Sequence, residues 1–204
     1  MLKINNKVLK INGDWLNPVV SPEPPVPEPV APYTLRLLFK DGVTPTFSKG
    51  TGVQVSTSPN IWDLTYENAD WSRLLRQQTY LLEVLGANTS NVTDMSYMFD
   101  SCILLTTVPL FDTSNCLTMA RMFNACRALP NVPLFDTSNV TDMGSMFGNC
   151  YALTTVPLFD TSNVTNMNGM FVSCSALTYI PLFNTSNLIS MNSAFQDCYN
   201  VEYG

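Results

Sequence analysis

Five cysteines, Cys102, Cys126, Cys150, Cys174 and Cys198, recur at intervals of 24 residues. Thiols can ligate a metal, pair as disulfides or attack as nucleophiles. Zinc and redox motifs set cysteines about two to four residues apart, and this spacing does not. The chain has no histidine. That excludes a Ser-His-Asp or Cys-His site, a His-ligated metal and a His pH switch. Three readings of the cysteine column stay open. Buried small hydrophobes is the preferred one, with disulfides between neighbours and metal ligation as the others. Asp112, Asp136 and Asp160 form a second column at the same interval. Stacked acidic turns can bind calcium, but Asn184 breaks the series and the turns lack glycine. There is no glycine-rich phosphate loop and no base paired to a nucleophile. The expectation is a protein without catalysis, metal or cofactor.

The elements that position these residues are repeats. Met95, Met119, Met143, Met167 and Met191 share one column, and Phe99, Phe123, Phe147, Phe171 and Phe195 another. Asn91, Asn115, Asn139, Asn163 and Asn187 open five copies. Pro109, Pro133, Pro157 and Pro181 are each followed two residues later by Phe111, Phe135, Phe159 or Phe183. One copy, Asn91 to Ser114, reads N-V-T-D-M-S-Y-M-F-D-S-C-I-L-L-T-T-V-P-L-F-D-T-S. Val92, Met95, Met98, Phe99 and Cys102 lie three or four apart, which predicts a short helix with one apolar stripe. Thr93 is its expected N-cap, and Asp94 suits the first turn. Gly144, Gly148 and Gly169 would weaken the later helices.

Leu105, Val108 and Leu110 then predict a short parallel strand. Val108 and Leu110 would face the core, and Thr107 and Pro109 would face out. The Phe111 column is exposed if the strand runs straight and core if the chain bends after Leu110; the second is preferred. Asp112 to Asn115 is a polar turn, whose Asn side chains can bond one another between coils. One copy cannot bury its apolar face alone, whereas stacked copies can, so the fold class expected is an α/β solenoid. It is leucine-rich-repeat-like, with 24-residue coils of short helix plus short parallel strand.

The string F-D-T-S-N-V-T-D-M-x-x-M-F-x-x-C-x-x-L, seen best from Phe135 to Leu153, resembles the BspA-like leucine-rich repeats of bacterial surface proteins. The resemblance covers about residues 84–204. It implies a right-handed leucine-rich solenoid used for adhesion or protein binding, without catalysis. Surface members of that family are expected to carry an export signal, and Lys3, Lys7 and Lys10 interrupt any signal-peptide core here.

The first half reads as attachment and cap. Residues 1–16 alternate apolar and polar, with Asn5-Asn6 at a turn. Ile4, Val8, Leu9, Ile11, Trp15 and Leu16 are apolar enough to form an N-terminal anchor hairpin. Residues 17–32 are a linker with seven prolines between Pro18 and Pro32. This predicts a stiff polyproline II spacer, a ligand for an SH3-like domain being the alternative. Residues 33–86 are read as a β-rich N-terminal cap, and residues 87–204 as the five-copy array. Strands are predicted at Tyr33 to Lys40, Gly52 to Ser56 and Trp62 to Tyr66. A short helix is predicted from Asp70 to Arg76, and Leu81 to Leu85 aligns with the repeat strand.

Charge narrows the partners. The formal net charge is −6. Residues 87–204 hold only Arg121 and Arg127 against seven Asp and Glu202, so the whole excess lies there. An acidic chain of this kind does not suit nucleic acid. No run approaches the roughly 18 apolar residues of a membrane span. Positions that vary between copies are the exposed ones. Thr107, Tyr151, Tyr179, Tyr199 and Tyr203 are the candidate partner-binding residues, since Tyr is favoured at interfaces.

The expected function is non-enzymatic display or adhesion. The layout is similar to small accessory proteins of gut phages. It implies a capsid or tail component, made in the host cytoplasm and carried on the virion. The N-terminus would hold virion structural proteins, and the array a host-surface protein or glycan. Homo-oligomers are compatible with the bare last coil. The alternatives are a cytosolic protein-interaction scaffold and a surface adhesin exported by a non-classical route.

Overall fold

The computed structural model describes residues 3–4, 7–8, 10–11, 14–15, 34–66 and 68–201. Strands β1 (Lys3–Ile4) and β2 (Lys7–Val8) pair antiparallel, Lys3 opposite Val8. Strands β3 (Lys10–Ile11) and β4 (Asp14–Trp15) repeat this pairing seven residues on, Lys10 opposite Trp15. The sequence reading expected one hairpin over these residues, and two pairs are present.

A four-stranded antiparallel sheet follows, in the order β6-β7-β5-β8. Its strands are β5 (Thr34–Phe39), β6 (Thr51–Thr57), β7 (Asn60–Thr65) and β8 (Leu81–Ala87). The first three overlap the strands predicted at Tyr33 to Lys40, Gly52 to Ser56 and Trp62 to Tyr66; β8 covers the segment aligned with the repeat strand but pairs antiparallel with β5. Central β5 is covered on both faces. Leu35, Leu37 and Phe39 join the core, and Arg36 is buried on the other side. Arg36 stands directly opposite Asp63 in the β5–β7 register. It holds that carboxylate with two charge-assisted bonds, Nε to Oδ1 at 2.7 Å and Nη2 to Oδ2 at 2.6 Å. Buried Asn60 donates to the carbonyls of Lys40 and Val43 and so fixes the loop after β5.

From Asp70 onward the chain advances in 24-residue copies, each lying parallel on the next. Bridges join Asp70 to Asp94, Asp94 to Thr118, Thr118 to Asp142, Asp142 to Asn166 and Asn166 to Ser190. No described residue lies in an α-helix, which corrects the helix predicted from Val92 to Cys102 and its counterpart from Asp70 to Arg76. In its place stand consecutive tight turns, with Met98 donating to Met95 O, Asp100 to Tyr97 O and Cys102 to Phe99 O. The residues between them reach outward, Tyr97, Phe99 and Ser101 donating to Ala120, Met122 and Asn124 of the next copy. A helix would keep all these bonds inside one copy.

The turns are held open by left-handed residues. Tyr97 and Ser101 have φ of 59° and 66°, and the same two positions repeat at Arg121 and Ala125, Ser145 and Asn149, Gly169 and Ser173, and Ser193 and Asp197. A positive φ at the third residue is what a type II turn requires. Thr93 is no N-cap. The Asp94 carboxylate instead accepts the Ser96 N–H at 2.7 Å, as Asp142 does from Gly144. Positive φ at Arg73 and Gln77 marks a further copy that the sequence reading placed in the cap. There Trp71, Leu74 and Leu75 stand where later copies carry Met, Met and Phe, and all three are fully buried.

The predicted apolar stripe is nevertheless the core. Val92, Met95, Met98, Phe99 and Cys102 have no exposure, and neither do their counterparts in the next two copies. The Phe rings stack from copy to copy, Phe99 on Phe123 at 5.4 Å, Phe123 on Phe147 at 5.7 Å and Phe147 on Phe171 at 5.6 Å. Phe111, Phe135 and Phe159 form a second stack and interleave with the first. The chain therefore bends after Leu110. Leu110 points to solvent, against the expected facing, whereas Val108 packs on the core and Thr107 is exposed, as expected. The segment after Leu105 forms a single bridge, Glu83 with Thr107, in place of the strand predicted in every copy. The proline in it has no N–H to give a ladder.

Candidate functional site

The cysteine column belongs to the core. Cys102, Cys126, Cys150, Cys174 and Cys198 donate their thiols to the carbonyls of Leu75, Phe99, Phe123, Phe147 and Phe171, at 3.0 to 3.1 Å. All six cysteines are free and buried, so the disulfide alternative falls. Burial pushes the Cys116 and Cys174 thiols up to about 11 and about 12, and those of Cys126 and Cys150 well above the ordinary range. Such thiols are inert at neutral pH. Among the described residues no three acidic or sulfur side chains converge on one point as a metal site.

The acidic column is a set of turns. Asp112, Asp136 and Asp160 each accept the N–H two residues on, from Ser114, Ser138 and Ser162, at 2.9 to 3.2 Å. The Ser138 hydroxyl and N–H hold the Asp136 carboxyl below its usual range, and Ser162 does the same for Asp160. The neighbouring Asn column bonds backbone, not itself. Asn115, Asn139 and Asn163 donate to the carbonyls of Ser90, Ser114 and Ser138 at 2.7 Å, which corrects the side-chain ladder expected there. Thr113, Thr137 and Thr161 are buried and donate to the next copy at 2.8 Å. The Asn and Thr side chains thus lash one copy to another, and the Asp side chains close turns within a copy.

Two outer features stand out. Leu110, Leu134, Leu158 and Leu182 form a ridge, exposed by 67%, 59%, 61% and 94%. Adjacent apolar side chains in the open are unusual for a surface with no partner. The sequence reading missed the ridge because strand alternation assigned Leu110 to the core. The second feature is an arginine cluster. Arg73, Arg76 and Arg121 lie 5.2, 5.7 and 5.5 Å from the Tyr97 ring. Arg76 is also paired with the buried Asp100 carboxylate at 2.7 Å. A shallow cavity of about 210 Å³ lies beside Tyr97 and Arg121. A larger open cleft of about 590 Å³, at Gly50, Thr51, Thr65, Tyr66 and Asn68, holds no nucleophile beside a base.

The candidate partner-binding residues fall into separate columns. Thr107 and Tyr179 share one, three copies apart with Asn131 and Thr155 between them. Tyr151 and Tyr199 share another, with Ser175 between. All four are exposed. The Tyr151 ring lies under Arg127 at 5.5 Å, and the Tyr199 hydroxyl donates to Asp197 at 2.8 Å. Tyr203 lies outside the described residues. Of the anchor residues, Ile4, Val8, Ile11 and Trp15 lie on β1 to β4, and Leu9 and Leu16 lie outside the described residues. The spacer from Pro18 to Pro32 lies outside them too. No helix among the described residues is long and apolar enough to cross a membrane.

Comparison with known proteins places the array. A leucine-rich repeat protein from Eubacterium ventriosum ATCC 27560, known from its crystal structure, is 22% identical with a TM-score of 0.43. The match covers 56% of this chain and 30% of that protein, so the chain spans under a third of its length. No curated protein matches. The family described as "Mycoplasma protein of unknown function, DUF285" matches residues 70–156 and 152–203. The first match begins at Asp70, where the bridges between copies begin. On that match, which takes in both the buried columns and the outer ridge, the chain belongs to the DUF285 family.

Proposed function

We propose that the chain is a non-enzymatic display module. In this reading the copies form a leucine-rich-repeat-type solenoid, and the β5–β8 sheet caps its first coil. Its outer face binds a host-surface protein or glycan. Residues 1–16 attach it, across the proline-rich spacer, to a larger assembly, a bacteriophage capsid or tail. The observation that carries the binding role is the leucine ridge. Leu110, Leu134, Leu158 and Leu182 stay in the open, while Phe111, Phe135 and Phe159 beside them are stacked in the core and Thr113, Thr137 and Thr161 are bonded to the next copy. Thr107 and Tyr179 lie three residues before Leu110 and Leu182, on the same segment. A rigid apolar ridge with polar neighbours has the make-up of a protein-binding surface.

Quantitative mass spectrometry of purified particles from the source tests the assembly. A fixed ratio to the major capsid protein is expected, and absence from the particles sinks the virion assignment. A cytosolic scaffold would then show the chain in the soluble lysate alone. Binding of the labelled protein to host cells tests the face. Leu134→Glu with Leu158→Glu is expected to abolish it, and unchanged binding by that folded variant refutes the ridge.

A further inference from the structure

Between Asp70 and Gly204 the chain has four cationic side chains, Arg73, Arg76, Arg121 and Arg127. Three of them meet at one ring. Arg73, Tyr97 and Arg121 occupy the same left-handed position of three successive copies, with φ of 60°, 59° and 57°. The Tyr97 ring therefore has one guanidinium from the copy before it, at 5.2 Å, and one from the copy after it, at 5.5 Å. Arg76 adds a third at 5.7 Å. Asp100 holds Arg76 in place. Its buried carboxylate accepts Arg76 Nε on one oxygen and Asn124 Nδ2 on the other, both at 2.7 Å.

Like charges gathered this closely repel one another. Among the described residues only Arg76 of the three has a carboxylate partner. The Asp70 carboxylate, on the copy of Arg73, instead accepts the Ser72 N–H at 2.8 Å and makes no ion pair. The guanidinium groups of Arg73 and Arg121 make no hydrogen bond among the described residues, and Arg76 keeps both Nη groups. The ring restrains all three cations without using their N–H donors.

The cavity beside Tyr97 and Arg121 runs on to Asp142, Ser145 and Asn168 of the next two copies. Asp142 Oδ1 accepts from the Gly144 N–H and Asn166 Nδ2, and Asn168 Oδ1 from Ser190 Oγ and the Asn192 N–H. Among the described residues Asp142 Oδ2 and Asn168 Nδ2 have no partner. One end of the cavity thus offers cations, and the other an acceptor and a donor. A guanidinium holds a carboxylate or sulfate by two parallel bonds. A hydroxyl donates to a carboxylate and accepts from an amide. A polyanion would be repelled by Asp142 and by the acidic array. The volume of about 210 Å³ is below the roughly 300–1,000 Å³ of an ordinary ligand pocket, and so limits the occupant to a small unit such as one sugar ring. We infer that Arg73, Arg76 and Arg121 around Tyr97, with Asp142 and Asn168, bind a saccharide that carries a single carboxylate or sulfate. The inference narrows the display reading to an acidic glycan and rests on that reading for where the glycan is met. It shares no residue with the leucine ridge.

An NMR titration of the purified full chain at low ionic strength tests this. The probes are sialyllactose, with one carboxylate, and monosulfated lactose, with one sulfate. Lactose and inorganic sulfate are the controls. Saturable shifts of the arginine side-chain signals are expected with at least one acidic saccharide, and the pair shows which anion the site takes. Both controls should bind about tenfold or more weaker. Arg73→Ser with Arg121→Ser should weaken saccharide binding about tenfold or more. The fold should survive, since both side chains are exposed and the same column carries Ser145 and Ser193. Arg127→Ser, which also removes a cation, and Leu134→Ser with Leu158→Ser should leave binding unchanged. Three results overturn the inference: neither saccharide binds, inorganic sulfate binds as tightly, or Arg127→Ser weakens binding as much as the double arginine variant. Any of these leaves host-cell binding through the ridge standing. Absence of the chain from particles sinks the display reading and leaves the titration as it was.

Discussion

The Cys126 thiol donates to the Phe99 carbonyl at 3.1 Å, across 27 positions of sequence. The same bond recurs in each later copy, so one thiol ties each inner copy to the one before it. A thiolate there would lose its solvent and face a carbonyl oxygen. We expect Cys102, Cys116, Cys126, Cys150 and Cys174 to resist a thiol reagent in the native protein at pH 8. Cys198, 8% exposed at the open end, should react first. All should react in guanidinium. Fast native labelling of Cys126 or Cys150 would contradict the buried column.

The same thiols make stability depend on alkali. Their folded pKa values lie above the unfolded value of about 8.5. The folded state therefore holds protons that the unfolded state releases, and stability falls as pH rises. The contribution is complete below about pH 8.5 and is lost toward the folded values, about 11 for Cys116 and about 12 for Cys174. Each buried thiol contributes a slope of up to about 1.4 kcal/mol per pH unit in that window. Urea melts at pH 8, 9 and 10 should show the decline, and Cys150→Ala should make it shallower. A flat profile would refute it.

Phe147 stacks on Phe123 and Phe171 at 5.7 and 5.6 Å and meets Phe159 at 6.2 Å. Phe147→Ala removes a whole ring from the middle of the first stack, and with it a neighbour of Phe159 in the second, and should cost about 3–5 kcal/mol. Phe195→Ala, at the open end with one ring neighbour, should cost less than half as much. Equal losses in chemical denaturation would mean that the stacks do not carry the stability assigned to them.

Which residues point inward was readable from the sequence, and the backbone that points them was not. Val92, Met95, Met98, Phe99 and Cys102 are spaced for a helix. Successive tight turns return the chain to the same side every three or four residues, and so leave the same imprint. What separates the two is φ at Tyr97, Ser101, Arg121 and Ala125, residue types that carry no left-handed signal. Gly169, read as a weak point of a helix, is the one glycine at a left-handed position of the copies, and Gly144 and Gly148 do not stand at such positions. The facing of Leu110 was lost in the same way. Val108, Pro109, Leu110 and Phe111 follow a turn's spacing, with Val and Phe inward. The copy at Asp70 escaped notice because it has Trp71, Leu74 and Leu75 in place of Met, Met and Phe. The strands of the cap were clearer, since Thr34–Phe39 is a short run rich in apolar residues that ends at the Asp41-Gly42 turn.

Tyr97 isolates the energy held in the left-handed positions. Its φ is 59°, and its ring lies beside Arg73, Arg76 and Arg121. Replacing it by Ala removes the cation–π contacts, worth about 0.5–1 kcal/mol each at exposed sites. It keeps the backbone penalty of about 1–2 kcal/mol for an L-residue in that region. Replacing it by Gly loses the same contacts and relieves the penalty. Gly169 shows that this column accepts the residue. Greater freedom of glycine in the unfolded chain offsets part of the relief, by roughly 0.4–1 kcal/mol. Tyr97→Gly should therefore be more stable than Tyr97→Ala by up to about 1 kcal/mol, and Ala125→Gly should stabilise the wild-type chain slightly. Gly169→Ala should destabilise by about 1 kcal/mol, since its new methyl meets Ser145 Oγ at 3.1 Å in addition. If both glycine variants melt below their alanine partners, the turn geometry at these columns is wrong.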